Sequence, residues 1–540
     1  MPDDCSDMSY NQPGAAPRSR SSGCEGATLA VDMGVPEKRK LSDEAGGAGD
    51  VGGGEMASKG SGSGNVRLRR ELGLFSAVSL IVGVMIGSGI FVSPTSALER
   101  SGSVGLCLVV WAVCGGISLV GALGFAELGT VVPRSGAEYA YLLEAYGPLH
   151  RFWGPVPSFL CAWIYVAILR PAEVAVVILT FAEYVVQPLA PLGIAELHPD
   201  TQKHLLKLIA LLALGLITYV NVWSVKLYVR VQNIFTVAKL VACCVVVLGG
   251  LYELCIGNTR NLSTGFEGSS NSARDISLAF YSGLWAFDGW SMVTTVTEEV
   301  KKPEVNILRS IVIAVPLVTL FYFMMNVSYM TVLSIPEMIA APAVAVAFGE
   351  RLLGPMSFII PLGVALSTFG CALGIQFSVT RLCFVAGQEG HMVSIFSFVH
   401  IRRFTPGPAV VIQGLIAAVF VIIGDIEPLI DFASFLVWVF YGMAMAALLI
   451  MRRTKPHADR PYKVPLIVPI FTIIVALFLT LVPIVTDPSP RYFFALAFIL
   501  MGVAVYTLFV YKKKRPKFMD KVTRYTQLLM EAVPTDQNTD

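Results

Sequence analysis

Charge is the scarcest commodity in this sequence. Only 14% of its 540 residues are Asp, Glu, Lys or Arg, where a soluble domain carries about 25%. Hydrophobic residues make up 55%, and mean hydropathy is +0.67. These values exclude an ordinary soluble domain and indicate a polytopic membrane protein. The net charge of +2 carries no sign of a nucleic-acid partner. Ten cysteines are present, yet they form no framework. Cys5 and Cys24 lie in the tail; Cys107, Cys114, Cys161, Cys243, Cys244, Cys255, Cys371 and Cys383 lie in or at the ends of apolar segments, as small packing residues do. No spacing suggests a metal site. HExxH, a nucleophile elbow and a P-loop are all missing, so an enzyme is not expected. No N-terminal apolar stretch with a small-residue cleavage site is visible, so the first span is expected to act as the targeting signal.

Residues 1–66 are rich in Gly, Ser and charge, with runs such as "GGAGDVGGGEMASKGSGSG". Such a segment buries too little apolar surface to fold and reads as a disordered cytoplasmic tail. A membrane domain follows over 67–515, with a C-terminal cytoplasmic tail over 516–540. A hydrocarbon core about 30 Å thick takes roughly 20 apolar residues per helix. Twelve spans are expected: 74–97, 104–129, 153–186, 206–224, 230–256, 276–297, 308–333, 354–385, 408–424, 428–451, 464–485 and 491–511. The third and eighth are long enough to be tilted or bent. Basic residues cluster at Arg67, Arg69 and Arg70, in "EEVKKPEVNILR", "HIRRFTPGP", "RRTKPHADRPYK" and "KKKRPK". With twelve spans all of these fall on one side, which the positive-inside rule makes cytoplasmic, with both termini. The outer loop 257–275 holds a glycosylation sequon at Asn261-Leu262-Ser263. "NVS" at Asn326 lies within a span and is not expected to be modified.

The first span carries "VMIGSGIF", in which Gly87 and Gly89 flank Ser88, with Gly83 four residues before Gly87. The sixth carries "AFYSGLWAFDGWSM", with Gly283, Gly289 and an acid, Asp288, near its middle. These are corresponding positions if spans 1–5 and 6–10 form two inverted halves. Paired glycine-interrupted spans are the best sequence pointer to a transporter site, although one such cluster alone reads equally well as small-xxx-small packing. Unwound backbone is tolerable in a bilayer only where it lines a cavity or meets a ligand. Free N–H groups around Gly87-Ser88-Gly89 suit a carboxylate, and free carbonyls around Trp285 to Asp288 suit an ammonium. Together they read an α-amino acid. Lys239 lies well inside span 5, where a buried lysine marks a functional site by default. A channel would want a pore lined by rings of carbonyls or charge, usually with subunit symmetry, and two dissimilar broken helices argue against it. An amino acid sensor would carry the same site.

The stretches "GVMIGSGIFVSP", "GALGFAELGTVVPRSGAEYAY", "AFYSGLWAFDGW", "TEEVKKPEVN" and "VAGQEGHM" resemble the light chains of heteromeric, L-type amino acid transporters, within the amino acid–polyamine–organocation superfamily. The resemblance covers about residues 67–535. It implies an all-α, twelve-helix membrane protein with the 5+5 inverted repeat of the leucine-transporter fold, broken helices 1 and 6, and sodium-independent exchange of amino acids at the plasma membrane, without a cofactor. It also implies a carboxylate-binding turn at Ile86, Gly87, Ser88 and Gly89, ammonium-binding carbonyls at Trp285, Ala286 and Asp288, and a gating ring at Trp285. Lys239 matches a lysine that stands in for the sodium ion of related symporters. The loop carrying Pro133, Arg134, Ser135 and Gly136 matches part of an inner gate.

Asp288 directs the substrate expectation. Members that exchange cystine and dibasic amino acids have an acid here, in a motif close to "GLWAFDGW", whereas large-neutral members have a small residue. Neutral and cationic amino acids are therefore expected, with cystine as a further candidate. The alternative is a cystine/glutamate exchanger. It shares Arg170 but has a second arginine in span 10, where this chain offers Leu436 and Val437. The family's heavy chain is a single-span partner held by a disulfide from the loop between spans 3 and 4. That loop here, "QPLAPLGIAELHPDTQKH", has no cysteine, which leaves a non-covalent heavy chain or a protein that works alone. The segment "HRFWGPVPSF" before span 3 is an addition to the family pattern.

Overall fold

The structure, a computed structural model, describes residues 70–188, 198–341, 343–423, 426–486, 490–513 and 517–534. The N-terminal tail and most of the loop between the third and fourth expected spans lie outside the described residues, as do the side chains that open the tenth.

The first expected span is two helices, α1 (Leu74–Met85) and α2 (Gly89–Ser101), bent by 44° where they meet. Gly102, at φ +73°, closes α2, and Ser103 opens α3 (Val104–Val131) by accepting the Leu106 N–H at 3.3 Å. A short helix, α4 (Glu138–Tyr146), follows. The third expected span is α5 (Val156–Ile164), a π turn (Tyr165–Leu169) and α6 (Arg170–Val186). The wide turn directly precedes Pro171, which has no N–H and whose ring crowds the preceding turn of a regular helix. Ser224 alone separates α7 (Pro199–Trp223) from α8 (Val225–Ile256) and caps the latter by accepting the Lys226 N–H at 3.2 Å. The sixth expected span is α9 (Ala273–Ala286), an unwound stretch, and the single turn α10 (Met292–Thr295).

The remaining helices are α11 (Pro303–Val332), α12 (Ile335–Ala340), α13 (Val344–Leu353), α14 (Ile359–Gln388), α15 (Gly407–Ile423), α16 (Ile426–Thr454), α17 (Ile467–Thr486), α18 (Pro490–Val505) and α19 (Lys517–Met530). Each of the twelve expected segments carries a helix. Among the described residues seven helices are long and apolar enough to cross a membrane, or eight if the bent α1–α2 pair counts as one.

Two kinds of helix make the bundle. On α7, Leu208, Leu212, Leu216, Tyr219 and Trp223 form an exposed apolar stripe, while Ala210, Ala213, Leu214 and Ile217 are buried on the other side. A helix apolar on both sides suits lipid outside and protein inside. By contrast α6 and α14 are buried along most of their length and pack on each other. Small residues let the backbones approach: a Cβ on Gly363 would stand 2.6 Å from the Cβ of Ala242 on α8.

The segment before α5 packs on the last span. Phe152 meets the rings of Trp153, Tyr506 and Tyr511, and its carbonyl accepts the Tyr506 hydroxyl at 3.0 Å. The C-terminal tail is folded over its described part. After α19, β2 (Ala532–Pro534) pairs antiparallel with β1 (Phe398–His400), placing Val533 opposite Val399.

Candidate functional site

A helix that stops inside a bundle strands its last carbonyls, and here the stranded carbonyls of α1 all find donors. Gly83 C=O accepts the Lys239 ammonium at 2.6 Å. Val84 C=O accepts the Cys371 thiol at 3.1 Å. Met85 C=O accepts the Gly87 N–H at 2.9 Å and the Tyr322 hydroxyl. Ile86 C=O accepts Lys239 at 2.8 Å and the Ser367 hydroxyl at 2.7 Å. Lys239 also reaches Ser367 C=O at 3.0 Å and is fully buried. One side chain from α8 thus joins the break in the first span to α14. On the other side of the break, neither Ser88 nor Gly89 donates its N–H to a partner among the described residues, and α2 starts at Gly89. These amides form the positive end of a helix.

The second break meets the first. Gly289 sits at φ +117°, and a Cβ there would stand 2.7 Å from Val84 Cγ1. A Cβ on Gly89 would stand 2.5 Å from Ala286 Cα. Only glycine permits the two turns to close on each other. Tyr322 reaches across them from α11, offering its single hydroxyl proton to Met85 C=O and, at 3.0 Å, to Ala286 C=O.

Between the breaks lies a cavity lined by Gly87, Ser88, Gly89, Trp285, Ala286 and Asp288, together with Glu173, Val177, Cys371 and Ile375. Six of the expected binding residues therefore come together. Ile86 does not line the cavity; its carbonyl faces Lys239 and Ser367 instead. The carbonyls expected for an ammonium are partly engaged. Trp285 C=O accepts the Asp288 N–H at 3.2 Å and the Phe287 N–H, and Ala286 C=O accepts Tyr322; Ala286 keeps a second lone pair. Trp285 is half-buried at the cavity wall.

Asp288 also has protein partners. It accepts the Tyr441 hydroxyl at 2.5 Å and stands 3.5 Å from the Arg170 guanidinium. Arg170 is more closely bound to Glu173, at 2.6 Å, and Glu173 Oε1 has no hydrogen-bond partner among the described residues. Two carboxylates thus share one guanidinium at the cavity wall. Leu436 and Val437, at the place of the alternative's second arginine, are buried.

Sequence reasoning passed over Glu173, Tyr322, Ser367, Cys371 and Tyr441. An acid inside a span marks a site by default, so Glu173 carried the same signal as Asp288. Cys371 is more than packing, because its thiol caps a carbonyl. The hydroxyl donors carry no pattern of their own in a single sequence.

The outlying expectations have these places. Arg134 pairs with Glu389, Ser135 Oγ accepts the Glu298 N–H at 3.1 Å, and Gly136 N–H donates to Thr295 C=O at 3.0 Å. The 133–136 loop is thereby tied to the C-terminal end of the sixth expected span. Asn261 lies in the loop between α8 and α9, half-buried, with its amide donating to Thr331 C=O at 3.4 Å. Asn326 is fully buried.

Residues 72–509 match the family model for amino acid permeases. The chain is 44% identical over 473 residues to the human b(0,+)-type amino acid transporter 1, covering 87% of this chain and 94% of that one. It is 38% identical to the human cystine/glutamate transporter, over 87% of this chain and 92% of that one. It is 40% identical to the human large neutral amino acids transporter small subunit 2, over 89% of each. The chain belongs to the amino acid permease family, and these relatives are light chains of heteromeric amino acid transporters.

Proposed function

We propose that the chain is a sodium-independent exchanger of neutral and cationic amino acids in the plasma membrane. The observation that carries this reading is the cavity between the two breaks. It offers the unpartnered amides of Ser88 and Gly89 at one wall, and Glu173 and Asp288 around a single guanidinium at another. The amides take the substrate carboxylate, as helix N-termini do. The carbonyls of Trp285, Ala286 and Asp288 take its ammonium. The surplus carboxylate charge takes a cationic side chain, and a neutral side chain occupies the same space beside Val177 and Ile375.

Lys239 occupies the position of a bound cation, donating to carbonyls that a sodium ion would otherwise coordinate. That supports sodium independence. Trp285 closes over the substrate from outside, and the tied 133–136 loop belongs to the inner gate. The twelve helices cross the membrane as two inverted sets of five plus two, with both termini cytoplasmic. Asn261 carries a glycan once its contact with Thr331 opens. A single-span heavy chain, if engaged, binds without a disulfide from the loop between spans 3 and 4. Cystine fits as a neutral substrate. The glutamate reading is weaker because Arg170 is already held by Glu173.

The test is radiolabelled uptake in oocytes expressing this chain alone, in sodium-free buffer, with arginine, leucine, cystine and glutamate offered with and without leucine preloaded. Arginine and leucine uptake stimulated by preloading is the expected outcome. Uptake of cystine and glutamate alone would make the alternative right. Surface expression without uptake would call for co-expression with a heavy chain, and failure there as well would sink the reading.

A further inference from the structure

Glu138 is fully buried, yet neither of its carboxylate oxygens has a hydrogen-bond partner among the described residues. It opens α4, directly after Gly136 at φ +104° and Ala137 at φ +42°. The Ala137 conformation is costly for a residue with a Cβ, so the turn that aims Glu138 inward is held against local preference. The Ser291 hydroxyl lies beside this carboxyl. Ser291 Oγ is 3.2 Å from the Tyr441 hydroxyl, which donates to Asp288 Oδ1 at 2.5 Å. Asp288 lines the cavity. Two hydroxyls, of Ser291 and Tyr441, therefore stand between a buried acid and the acid at the cavity wall.

Tyr441 spends its proton on Asp288, and Ser291 has a single proton to give either to Tyr441 or to the Glu138 carboxylate. When Ser291 gives it to Tyr441, Glu138 meets Ser291 as a donor, which requires a protonated carboxyl. Charge points the same way. The groups around Glu138 are Arg170 and Glu173 on α6, Asp288 on the unwound turn, Tyr441 on α16, Cys161 on α5, Tyr165 on the π turn, and Tyr141 on its own helix. The one cation among them, Arg170, is bound by Glu173. Asp288 and Glu138 are left with at most one shared positive partner, and an unpaired buried carboxylate is expensive. Burial pushes the Glu138 carboxyl up to about 7, against the pull of Arg170, so gain and loss of a proton are both accessible near neutral pH.

We propose that Glu138 is a proton site linked through Ser291 and Tyr441 to Asp288, which takes up a proton when the cavity holds a neutral amino acid and releases it when a cationic side chain supplies the charge beside Asp288. Exchange then balances: a neutral amino acid and a proton move one way, and a cationic amino acid moves the other, with a single positive charge each way. The inference rests on the neutral-and-cationic reading above.

The experiment uses the purified full chain in proteoliposomes with a trapped pH dye. External leucine against internal arginine should acidify the lumen, and that exchange should be insensitive to membrane potential. Leucine against leucine should move no protons. In Glu138→Gln the acidification should vanish and leucine–arginine exchange should become potential-sensitive. Ser291→Ala, which removes the intervening hydroxyl and keeps both acids, should weaken the acidification several-fold. Potential-sensitive exchange without proton movement in the wild type would overturn the proposal, as would full acidification in Glu138→Gln. Infrared spectroscopy separates this from failure of the substrate reading. A protonated-carboxyl band at pH 6, lost at pH 9 and missing in Glu138→Gln, supports Glu138 as a proton site even if arginine is never exchanged. Absence of that band overturns it even if arginine is.

Discussion

Three carbonyls converge on the Lys239 ammonium, and two of them, those of Gly83 and Ile86, are free acceptors only because α1 stops. A hydrogen bond to a charged group contributes about 1.5–3 kcal/mol. Lys239→Ala should therefore lower the melting temperature in detergent and abolish transport or make it cation-sensitive; unchanged sodium-independent flux would remove Lys239 from this role. Ser88→Leu should abolish uptake while leaving surface expression, because its side chain intrudes where the carboxylate sits. Retained uptake would put the site elsewhere. Trp285→Ala should lower flux more than it lowers surface expression, and normal flux would end its assignment as the gate. Lys239 was legible as charge where lipid forbids it, and Ser88 through the two glycines that flank it where helix propensity is needed; Trp285 was read from the family resemblance. Tyr322, Ser367 and Tyr441 break no such rule. Their importance appears only when their hydroxyls are seen to meet stranded carbonyls or Asp288.

The interruptions of the first and sixth spans serve both readings that glycine clusters allow. The helices break, and they also pack, since Gly89 lies against Ala286 and Gly289 against Val84. A β-branched side chain at Gly89 would press on backbone rather than on a movable tip, and overpacking of this kind costs roughly 1–3 kcal/mol. Gly89→Val should reduce both thermal stability and uptake, read by melting in detergent and by leucine flux; a variant with wild-type values for both would show that the two turns need not touch. The third span's length was visible in the sequence, whereas the π turn that interrupts it just before Arg170-Pro171 is a local feature. The strained turn at Ala137 was hidden, because nothing in "PRSGAEYAY" singles out an alanine for positive φ. The sequence marks 516–540 only as a cytoplasmic tail, and its last described residues complete a sheet with β1, a long-range pairing that three residues of sequence do not announce.

Across the whole molecule, the bundle puts a buried centre of α6 and α14 next to two broken helices, and lines the opening between them with more acid than base. Hydropathy was enough to place the helical segments, since lipid imposes the same demand on each of them. It could not say that Arg170 would be shared between Glu173 and Asp288, because those residues meet only after α6 and the sixth span pack together. The most direct test of the account compares Asp288→Asn with wild type in sodium-free proteoliposomes preloaded with leucine, measuring arginine and leucine uptake in parallel. Loss of a charge-assisted contact of about 1.5–3 kcal/mol corresponds to roughly a ten- to hundred-fold rise in the KM for arginine, with leucine uptake largely retained. Equal effects on both substrates, or none on either, would contradict the assignment of Asp288 as the group that admits cationic amino acids.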